Sequence, residues 1–124
     1  MDPKYHAEKI EPKWQKYWAD HGVFRVDSSD AARKRYVLTM FPYPSGSLLH
    51  VGHGRPYIGG DAIARYQRKR GRRVLAPMGF DAFGLPAENY AIKNGVHPRP
   101  FTLENIARMK KQFVPWGILY DWDR

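Results

Sequence analysis

The chain lacks cysteine altogether, and this absence limits the kinds of site that it can hold. Without thiolates a structural zinc site would need several other ligands close together, and the sequence does not cluster them. The absence is also compatible with a reducing cytoplasm, which is the location we expect. No run approaches the ~18 apolar residues of a membrane-spanning helix, and the first residues lack the apolar core of a secretion signal. We therefore expect no membrane partner and no bound metal held by the chain alone.

Acidic residues are few beside basic ones, with 12 Asp and Glu against 21 Lys and Arg, and the net charge is +9. Such an excess is typical of proteins that bind nucleic acid, where cations contact phosphates without reading the base sequence. Cations are equally common in the last turn of a helix and on solvated faces, so the charge alone leaves both interpretations open. The densest basic cluster consists of Arg65, Arg68, Lys69, Arg70, Arg72 and Arg73.

A turn rich in Pro and Gly joins an apolar run, residues 36–41, to a His-x-Gly-His element. Residues 36–41 favour a strand, and Pro42 and Pro44 prevent its ladder from continuing. A helical pattern follows, and we predict that it begins at about Gly54 or Arg55 because Pro56 cannot donate a backbone hydrogen bond. Strand ends of this kind collect ligands in parallel sheets, and unpaired N–H groups at the following helix start attract phosphate.

The two histidines of this element, His50 and His53, permit more than one interpretation. They could be surface or capping residues, or half of a zinc site that lacks its other ligands. They could also donate hydrogen bonds to phosphate oxygens whose negative charge grows during a reaction. Gly52 between them leaves room for a flat base or a phosphate.

A second loop, residues 78–88, follows another short apolar run and leads into a helix with Pro86 at its first position. Asp81 in this loop could hold a cationic group of a small ligand, such as an ammonium. It could equally be an ordinary turn residue or a helix cap. Glu88 is suited to the first turn of the following helix, whose N-terminal end favours negative charge.

The remaining patterns alternate short helices and strands, which indicates an α/β fold with a parallel sheet and flanking helices. We predict a helix through Ile10, Trp14, Tyr17 and Trp18 that ends at Gly22, and one with the apolar face Ile58, Ala62, Ile63 and Tyr66 that ends at Gly71. A strand over residues 73–77 and a helix over residues 86–94 that ends at Gly95 follow. Thr102 is expected to cap a last helix with the face Leu103, Ile106, Met109 and Phe113, which Pro115 stops.

The motifs, taken in order, resemble the class I aminoacyl-tRNA synthetases and, within them, the leucyl-tRNA synthetase family. The similarity runs from about residue 10 to the last residue. It rests on Phe-Pro-Tyr-Pro-Ser-Gly at 41–46, His-Val-Gly-His at 50–53, Asp-Ala-Phe-Gly-Leu-Pro-Ala-Glu at 81–88 and Tyr-Asp-Trp-Asp-Arg at 120–124. Valyl and isoleucyl relatives differ, since they carry a Pro-Pro-Pro-Asn type of opening and a His at the position of Phe83. The resemblance therefore points to leucine.

The resemblance implies a role for each matching residue. His50 and His53 would be the catalytic pair that contacts the ATP phosphates, and Asp81 would bind the leucine ammonium. ATP would be a substrate, with Mg²⁺ accompanying it, and would activate leucine as leucyl-adenylate before leucine passes to tRNA(Leu). No side chain need act as a nucleophile. The implied ATP-binding residues are Pro44, Ser45, Gly46, His50, Val51, Gly52 and His53, and the implied leucine-binding residues are Met40, Phe41, Tyr43 and Asp81.

By this resemblance the chain is the amino-terminal part of a catalytic domain, with residues 1–35 as a leading helix and connection. Residues 36–124 would form the first half of a Rossmann-like nucleotide-binding domain. The Lys-Met-Ser-Lys-Ser loop of the family does not occur, nor do its editing, anticodon-binding and zinc modules. We therefore expect exposed apolar surface and, as a further partner, the remainder of the synthetase on the same chain or on a second subunit. Two alternatives stay open: another nucleotidyltransferase with a His-x-Gly-His turn, and a non-catalytic basic fragment that binds RNA or a subunit.

Overall fold

The computed structural model describes residues 4–27, 29, 32–46 and 48–124. Part of the predicted polar connection before the first strand, residues 28 and 30–31, lies outside the described residues, as does residue 47. The described part is an α/β fold, as the sequence predicts. Its elements in chain order are α1 (Ala7–Asp20), β1 (Lys34–Tyr36), α2 (Val51–Lys69), β2 (Arg73–Leu75), α3 (Leu85–Asn94) and α4 (Pro98–Phe113).

The two strands pair in parallel, with Lys34 opposite Arg73 and Tyr36 opposite Leu75. A further parallel bridge joins Pro77 to Asp121, so the segment after α4 extends the same layer. Helix α2 forms the connection between β1 and β2, as a parallel pair requires. This arrangement confirms the predicted parallel α/β organisation.

Both strands are shorter than predicted. The expected strand over residues 36–41 is wrong in its bounds, because the observed strand β1 runs from Lys34 to Tyr36. It therefore begins before residue 36 and ends at that residue. Beyond Val37 the segment is positioned by side-chain contacts instead of the backbone hydrogen bonds of a β-ladder. A Cβ on Gly60 would lie 2.5 Å from the Thr39 methyl, and a Cβ on Gly79 would lie 3.1 Å from the Phe41 ring. These close contacts place Thr39 against the middle of α2 and Phe41 against the loop after β2.

Helix α2 begins at Val51, so the predicted start at Gly54 or Arg55 is wrong. Pro56 lies inside the helix and still lacks the N–H that would donate to Gly52, but the first turn is stabilised by side-chain caps described below. The helix ends at Lys69, and Gly71 follows with φ of 73°, which confirms the predicted stop.

The face of α2 that packs on the core is also different from the predicted one. The buried residues are Gly54, Tyr57, Asp61 and Ala64. The predicted apolar face is wrong, because Ile58, Ala62, Ile63 and Tyr66 are exposed. Both sets of residues have helical spacing. The buried set includes the acidic residue Asp61, because its carboxylate accepts a hydrogen bond from the Leu119 N–H in the segment after α4.

The other helices agree with the sequence in most respects. Helix α1 ends just before Gly22, and α3 ends at Gly95, whose φ of 61° provides the left-handed cap. Thr102 is not a cap, since α4 begins at Pro98 after the N-cap His97 and Thr102 is buried within the helix. Met109 and Phe113 are buried as predicted, whereas Leu103 is exposed.

Aromatic rings form the centre of the core. Tyr57 of α2 lies 5.4 Å from the ring of Phe113, and Phe113 lies 5.8 Å from Tyr120 and 5.7 Å from Trp122. Val74 and Ala76 of the sheet layer complete the cluster with other buried apolar residues. The core therefore joins α2, α4 and the segment after α4.

Many large apolar side chains are exposed, as the sequence leads us to expect. They include Leu38, Met40, Ile58, Ile63, Phe83 and Ile92. Within the described ranges no helix combines the length and apolar character needed to cross a bilayer.

Candidate functional site

His50 and His53 cap the first turn of α2. His50 is the N-cap residue, and its Nδ1 accepts a hydrogen bond from the Gly52 N–H at 3.1 Å. In return the Nδ1 of His53 accepts from the His50 N–H at 3.2 Å. The two rings lie 3.9 Å apart between centroids. The pair thus forms a reciprocal capping box, built from imidazoles instead of the usual hydroxyl and carboxylate.

This capping box fixes the protonation pattern of both rings. Each Nδ1 accepts a backbone hydrogen bond, so it carries no proton, and a neutral ring must then carry its proton on Nε2. Burial, and secondarily the neighbouring His50, lowers the pKa of His53 below its ordinary value of 6.5. His53 is therefore neutral at pH 7. The two rings together present Nε2–H donors on the side facing away from their backbone bonds.

The expectation that free N–H groups at the helix start would meet a phosphate needs correction. The Gly52 N–H bonds to the His50 ring, and the His53 N–H bonds to the His50 carbonyl at 2.8 Å. These donors are already satisfied within the chain. The imidazole Nε2–H donors that the cap holds in place remain able to meet an anion.

Gly52 is required by the cap itself. A Cβ at this position would lie 2.9 Å from both Nδ1 and Cε1 of His50, closer than real Cβ contacts allow. A side chain on residue 52 would therefore displace the His50 ring. The family resemblance implies a second reason for glycine at this position, which is that it would let the adenine base approach the backbone.

The second loop meets the first through the backbone. The Asp81 N–H donates to the Pro42 carbonyl at 3.0 Å, which joins the loop after β2 to the segment after β1. Phe41 packs over Gly79 in the same place. The structure thus brings Asp81 beside the predicted leucine-binding residues Phe41 and Tyr43.

The side chains at this junction are open to solvent. Met40 is 69% exposed, Phe41 41% and Tyr43 54%. Asp81 is also exposed in the chain by itself. The group lies on a loop whose position is set by a backbone bond, not by burial of its side chain.

Helix α4 makes hydrogen bonds to the segment between β1 and α2 at Pro44 and Leu49, and the sequence analysis did not predict these contacts. Asn105 is fully buried, and its Nδ2 donates to the Pro44 carbonyl at 2.8 Å. Gln112 accepts from the Leu49 N–H through Oε1 at 2.8 Å. A polar residue at Asn105, in helical register with Met109 and Phe113, was the signal that could have been used.

The basic cluster is partly internal. Arg65 pairs with Asp61 and donates to the Gly117 carbonyl, and Arg68 lies over the Phe24 ring at 5.0 Å. Burial lowers the pKa of the Arg68 guanidinium. These two arginines hold the core and its C-terminal segment, so a purely solvated basic face is the wrong interpretation for them.

The described residues hold no group of three or more His, Cys, Asp or Glu side chains placed to bind a metal ion. This part of the chain therefore offers no ready-made cluster of ligands for an Mg²⁺ that accompanies ATP.

Comparison with known proteins identifies the family. The profile of the family described as tRNA synthetases class I (M) matches residues 35–122. Relatives include a leucine–tRNA ligase of Syntrophus aciditrophicus, 52% identical over the whole chain and 14% of the relative. The leucine–tRNA ligase subunit alpha of Aquifex aeolicus is 56% identical over the whole chain and 19% of the relative.

A solved structure agrees with these relatives. A crystal structure of the ternary complex of Agrobacterium radiobacter K84 agnB2 LeuRS-tRNA-LeuAMS superposes with a TM-score of 0.86 and 47% sequence identity. The superposed region covers 96% of this chain and 15% of the chain in the solved structure. The chain thus spans less than a fifth of the length of each of these proteins. On these findings the chain belongs to the class I tRNA synthetases, and within them it is similar to the leucine–tRNA ligases.

Proposed function

We propose that the chain supplies the ATP- and leucine-binding part of a leucine–tRNA ligase. The reaction is attack of the leucine carboxylate on the α-phosphorus of ATP, which releases pyrophosphate and forms leucyl-adenylate. Transfer of leucine to tRNA(Leu) follows. The observation that carries the proposal is the imidazole capping box, because it holds two imidazole Nε2–H donors side by side at a strand-to-helix junction.

The two histidines act by stabilising charge. As the α-phosphorus is attacked, negative charge grows on the phosphate oxygens, and preorganised donors favour that state over the ground state. The caps fix the rings before substrate arrives, so little reorganisation is needed. His50 and His53 are the catalytic residues in this proposal, and the ATP phosphates also follow the loop of Pro44, Ser45 and Gly46 and the start of α2 at Val51 and Gly52.

The leucine end of the site lies at the junction of the two loops. Asp81 pairs with the leucine ammonium, while Met40, Phe41 and Tyr43 contact its side chain or close over the adenylate. The backbone bond from Asp81 to Pro42 supports this arrangement, because it places the carboxylate loop against the apolar segment. Bound substrate would cover side chains that are exposed in the chain by itself.

The partners follow from the relatives. A relative crystallised as a LeuRS-tRNA-LeuAMS complex supports tRNA as a partner and the adenylate as an intermediate. Because the chain spans only 14% to 19% of the curated relatives, we propose that residues 1–124 work with a remainder, on the same chain or on a second subunit. Within that whole, residues 1–35 would lead into the nucleotide-binding half. A role in charging tRNA for translation supports the cytoplasmic location that we propose.

The test exploits a matched pair of histidine caps. His97 caps α4 as His50 caps α2, and its Nδ1 accepts from the Arg99 N–H at 3.2 Å. Asparagine is a good N-cap residue, so His50→Asn and His97→Asn should both keep their helices. Only His50→Asn removes an imidazole Nε2–H donor from the site.

The measurement is leucine-dependent exchange of pyrophosphate into ATP by the full natural protein. His50→Asn should lower the exchange rate on the order of 10²- to 10³-fold, while His97→Asn should leave it near the parent value. The unfolding midpoints of both variants should stay close to that of the parent. Equal exchange in His50→Asn and the parent would refute the role of the imidazole donors.

Leucine recognition is tested separately through Asp81. In calorimetry, Asp81→Ala should lose most of its leucine affinity and keep its ATP affinity, because only the ammonium partner is removed. Asp27→Ala is a suitable control, since Asp27 is also an exposed loop carboxylate but bonds to Ser29. Unchanged leucine affinity in Asp81→Ala would contradict the assignment.

A further inference from the structure

Asn105 occupies an unusual position for an amide. It lies in the buried stripe of α4 between Thr102 and Met109 and has no exposed surface. A buried amide costs free energy unless its polar atoms are bonded. Its Nδ2 donates to the Pro44 carbonyl, and its Oδ1 accepts from Arg108 at 3.5 Å. An apolar residue would fill the stripe, but it could not bind the loop.

Gln112 makes a second contact from the same helix to the same loop. Its Oε1 accepts from the Leu49 N–H, 63 residues away in sequence, at 2.8 Å. Asn105 and Gln112 are seven positions apart, about two turns and roughly 10 Å along the helix axis, on one face. Pro44 and Leu49 are correspondingly five positions apart in the loop.

The helix that makes these contacts is itself fixed. Phe113, next to Gln112, is 2% exposed and packs against Tyr57 and Tyr120, and Met109 is 1% exposed. Tyr57 also lies on α2, one turn after His53, and the two rings stack at 5.9 Å. Helix α4 therefore contacts α2 through the Phe113 and Tyr57 rings, one turn from His53.

We propose that Asn105 and Gln112 are positioning residues, which hold Pro44 and Leu49 at the two ends of the loop that receives the ATP phosphates. We call the two contacts the α4 clamp. The proposal rests on the proposed function, since it assigns the clamp to the ATP end of that site. Neither residue touches the reacting atoms, and each acts through a backbone group of the loop. The clamp should therefore affect ATP more than leucine.

The two contacts have opposite hydrogen-bond directions, which provides a sharp test. Pro44 offers a carbonyl, so residue 105 must donate, whereas Leu49 offers an N–H, so residue 112 must accept. Gln112→Glu keeps the acceptor, while Gln112→Met removes it at similar volume. Asn105→Asp replaces the amide donor with a carboxyl oxygen. The same change from amide to carboxylate should thus be tolerated at 112 and harmful at 105.

Steady-state exchange kinetics of the full natural protein provide the main readout. Loss of one neutral hydrogen bond corresponds to about a 2- to 10-fold effect, so KM for ATP should rise by that factor in Gln112→Met and Asn105→Asp. KM for leucine should stay near the parent value, and Gln112→Glu should resemble the parent. Each variant is measured at two salt concentrations, because an effect of added charge weakens with salt and a lost hydrogen bond does not.

The control is Gln67→Met, which makes the same change in a half-buried glutamine near the far end of α2. It should leave both KM values unchanged. The proposal is overturned if Gln112→Glu is as impaired as Gln112→Met, or if KM for ATP does not rise in the latter. A general loss of folded protein would lower the active fraction without this split between substrates.

A second measurement separates failure of the clamp from failure of the proposed function. Hydrogen exchange at the Leu49 amide should quicken about 2- to 10-fold in Gln112→Met and not in Gln112→Glu, whatever reaction the protein catalyses. A parent protein without leucine-dependent pyrophosphate exchange would refute the proposed function but not the clamp. An unchanged hydrogen-exchange rate at the Leu49 amide in Gln112→Met would refute the clamp but not the proposed function.

Discussion

Substitution of Gly52 by alanine separates helix stability from site geometry. The added Cβ would lie 2.9 Å from Nδ1 and Cε1 of His50, so the ring must leave the position from which it caps Gly52. The backbone of α2 itself accepts alanine readily, because residue 52 is inside the first helical turn. The substitution therefore has two opposing effects on stability, a gain in helix propensity and the loss of a capping hydrogen bond, and their sizes can be compared.

The stability terms nearly cancel. Alanine stabilises a helical position by about 0.8–1 kcal/mol relative to glycine. Loss of an N-cap hydrogen bond costs about 0.5–2 kcal/mol. The net change in the free energy of unfolding should thus lie between about 0.5 kcal/mol of stabilisation and about 1 kcal/mol of destabilisation. Activity has no such compensation, because a displaced His50 ring no longer presents its Nε2–H donor.

Urea unfolding and leucine-dependent pyrophosphate exchange are measured on the same Gly52→Ala preparation. Exchange should fall on the order of 10²-fold or more, with the unfolding free energy nearly unchanged. Gly59→Ala is the control, since a Cβ there meets nothing within 4 Å and residue 59 is on the exposed side of the same helix. It should gain up to about 1 kcal/mol and keep its activity. Normal exchange by Gly52→Ala would show that the observed position of His50 is not the one that matters.

Three further predictions concern the framework of the site. Asp61→Ala should destabilise the fold by about 1–3 kcal/mol in urea unfolding, because the buried Leu119 N–H loses its acceptor at 3.0 Å, whereas Asp61→Asn should cost less. Gly60→Ala should cost about 1–3 kcal/mol because its Cβ would lie 2.5 Å from the Thr39 methyl, and adding Thr39→Ser, which keeps the hydroxyl, should restore most of that loss; a double variant no more stable than Gly60→Ala would contradict the steric cause. Burial lowers the folded-state pKa of His53 below 6.5, so the unfolded state binds its proton first as the pH falls. Stability should therefore decline as the pH drops from about 6.5 through the lower folded-state pKa, and His53→Asn should lack this part of the decline in a pH series of unfolding curves.

Local signals in the sequence predicted the elements well. The ends of three helices coincide with glycines at positive φ, namely Gly22, Gly71 and Gly95, because those turns need a conformation that other residues rarely adopt. The parallel α/β order also follows from the alternation of patterns. The start of α2 was missed because histidine is an uncommon capping residue, and Pro56 suggested a later start than the capped first turn allows.

The buried face of α2 could not be read from hydrophobicity. Ile58, Ile63 and Tyr66 are apolar and correctly spaced, yet each is more than half exposed. The face that packs instead contains Asp61, whose carboxylate accepts from Leu119 and pairs with Arg65. That choice depends on a segment 58 positions later in the chain, so no pattern within the helix reveals it.

The same reasoning explains why the candidate site was recognised by its motifs but not by its supports. The histidines, the glycine between them and Asp81 stand in short motifs, so their chemistry can be read locally. Their positions, however, are set from distant parts of the chain. Tyr120 bonds with Thr39 at 3.3 Å beside the first loop, and the Asp121 N–H bonds with the Ala76 carbonyl at 2.9 Å beside the second. Helix α4 adds its clamp between these supports. The residues proposed to bind substrate, early in the chain, are therefore held by framework residues late in it, and substitutions in residues 105–121 should alter substrate binding even where they contact no substrate.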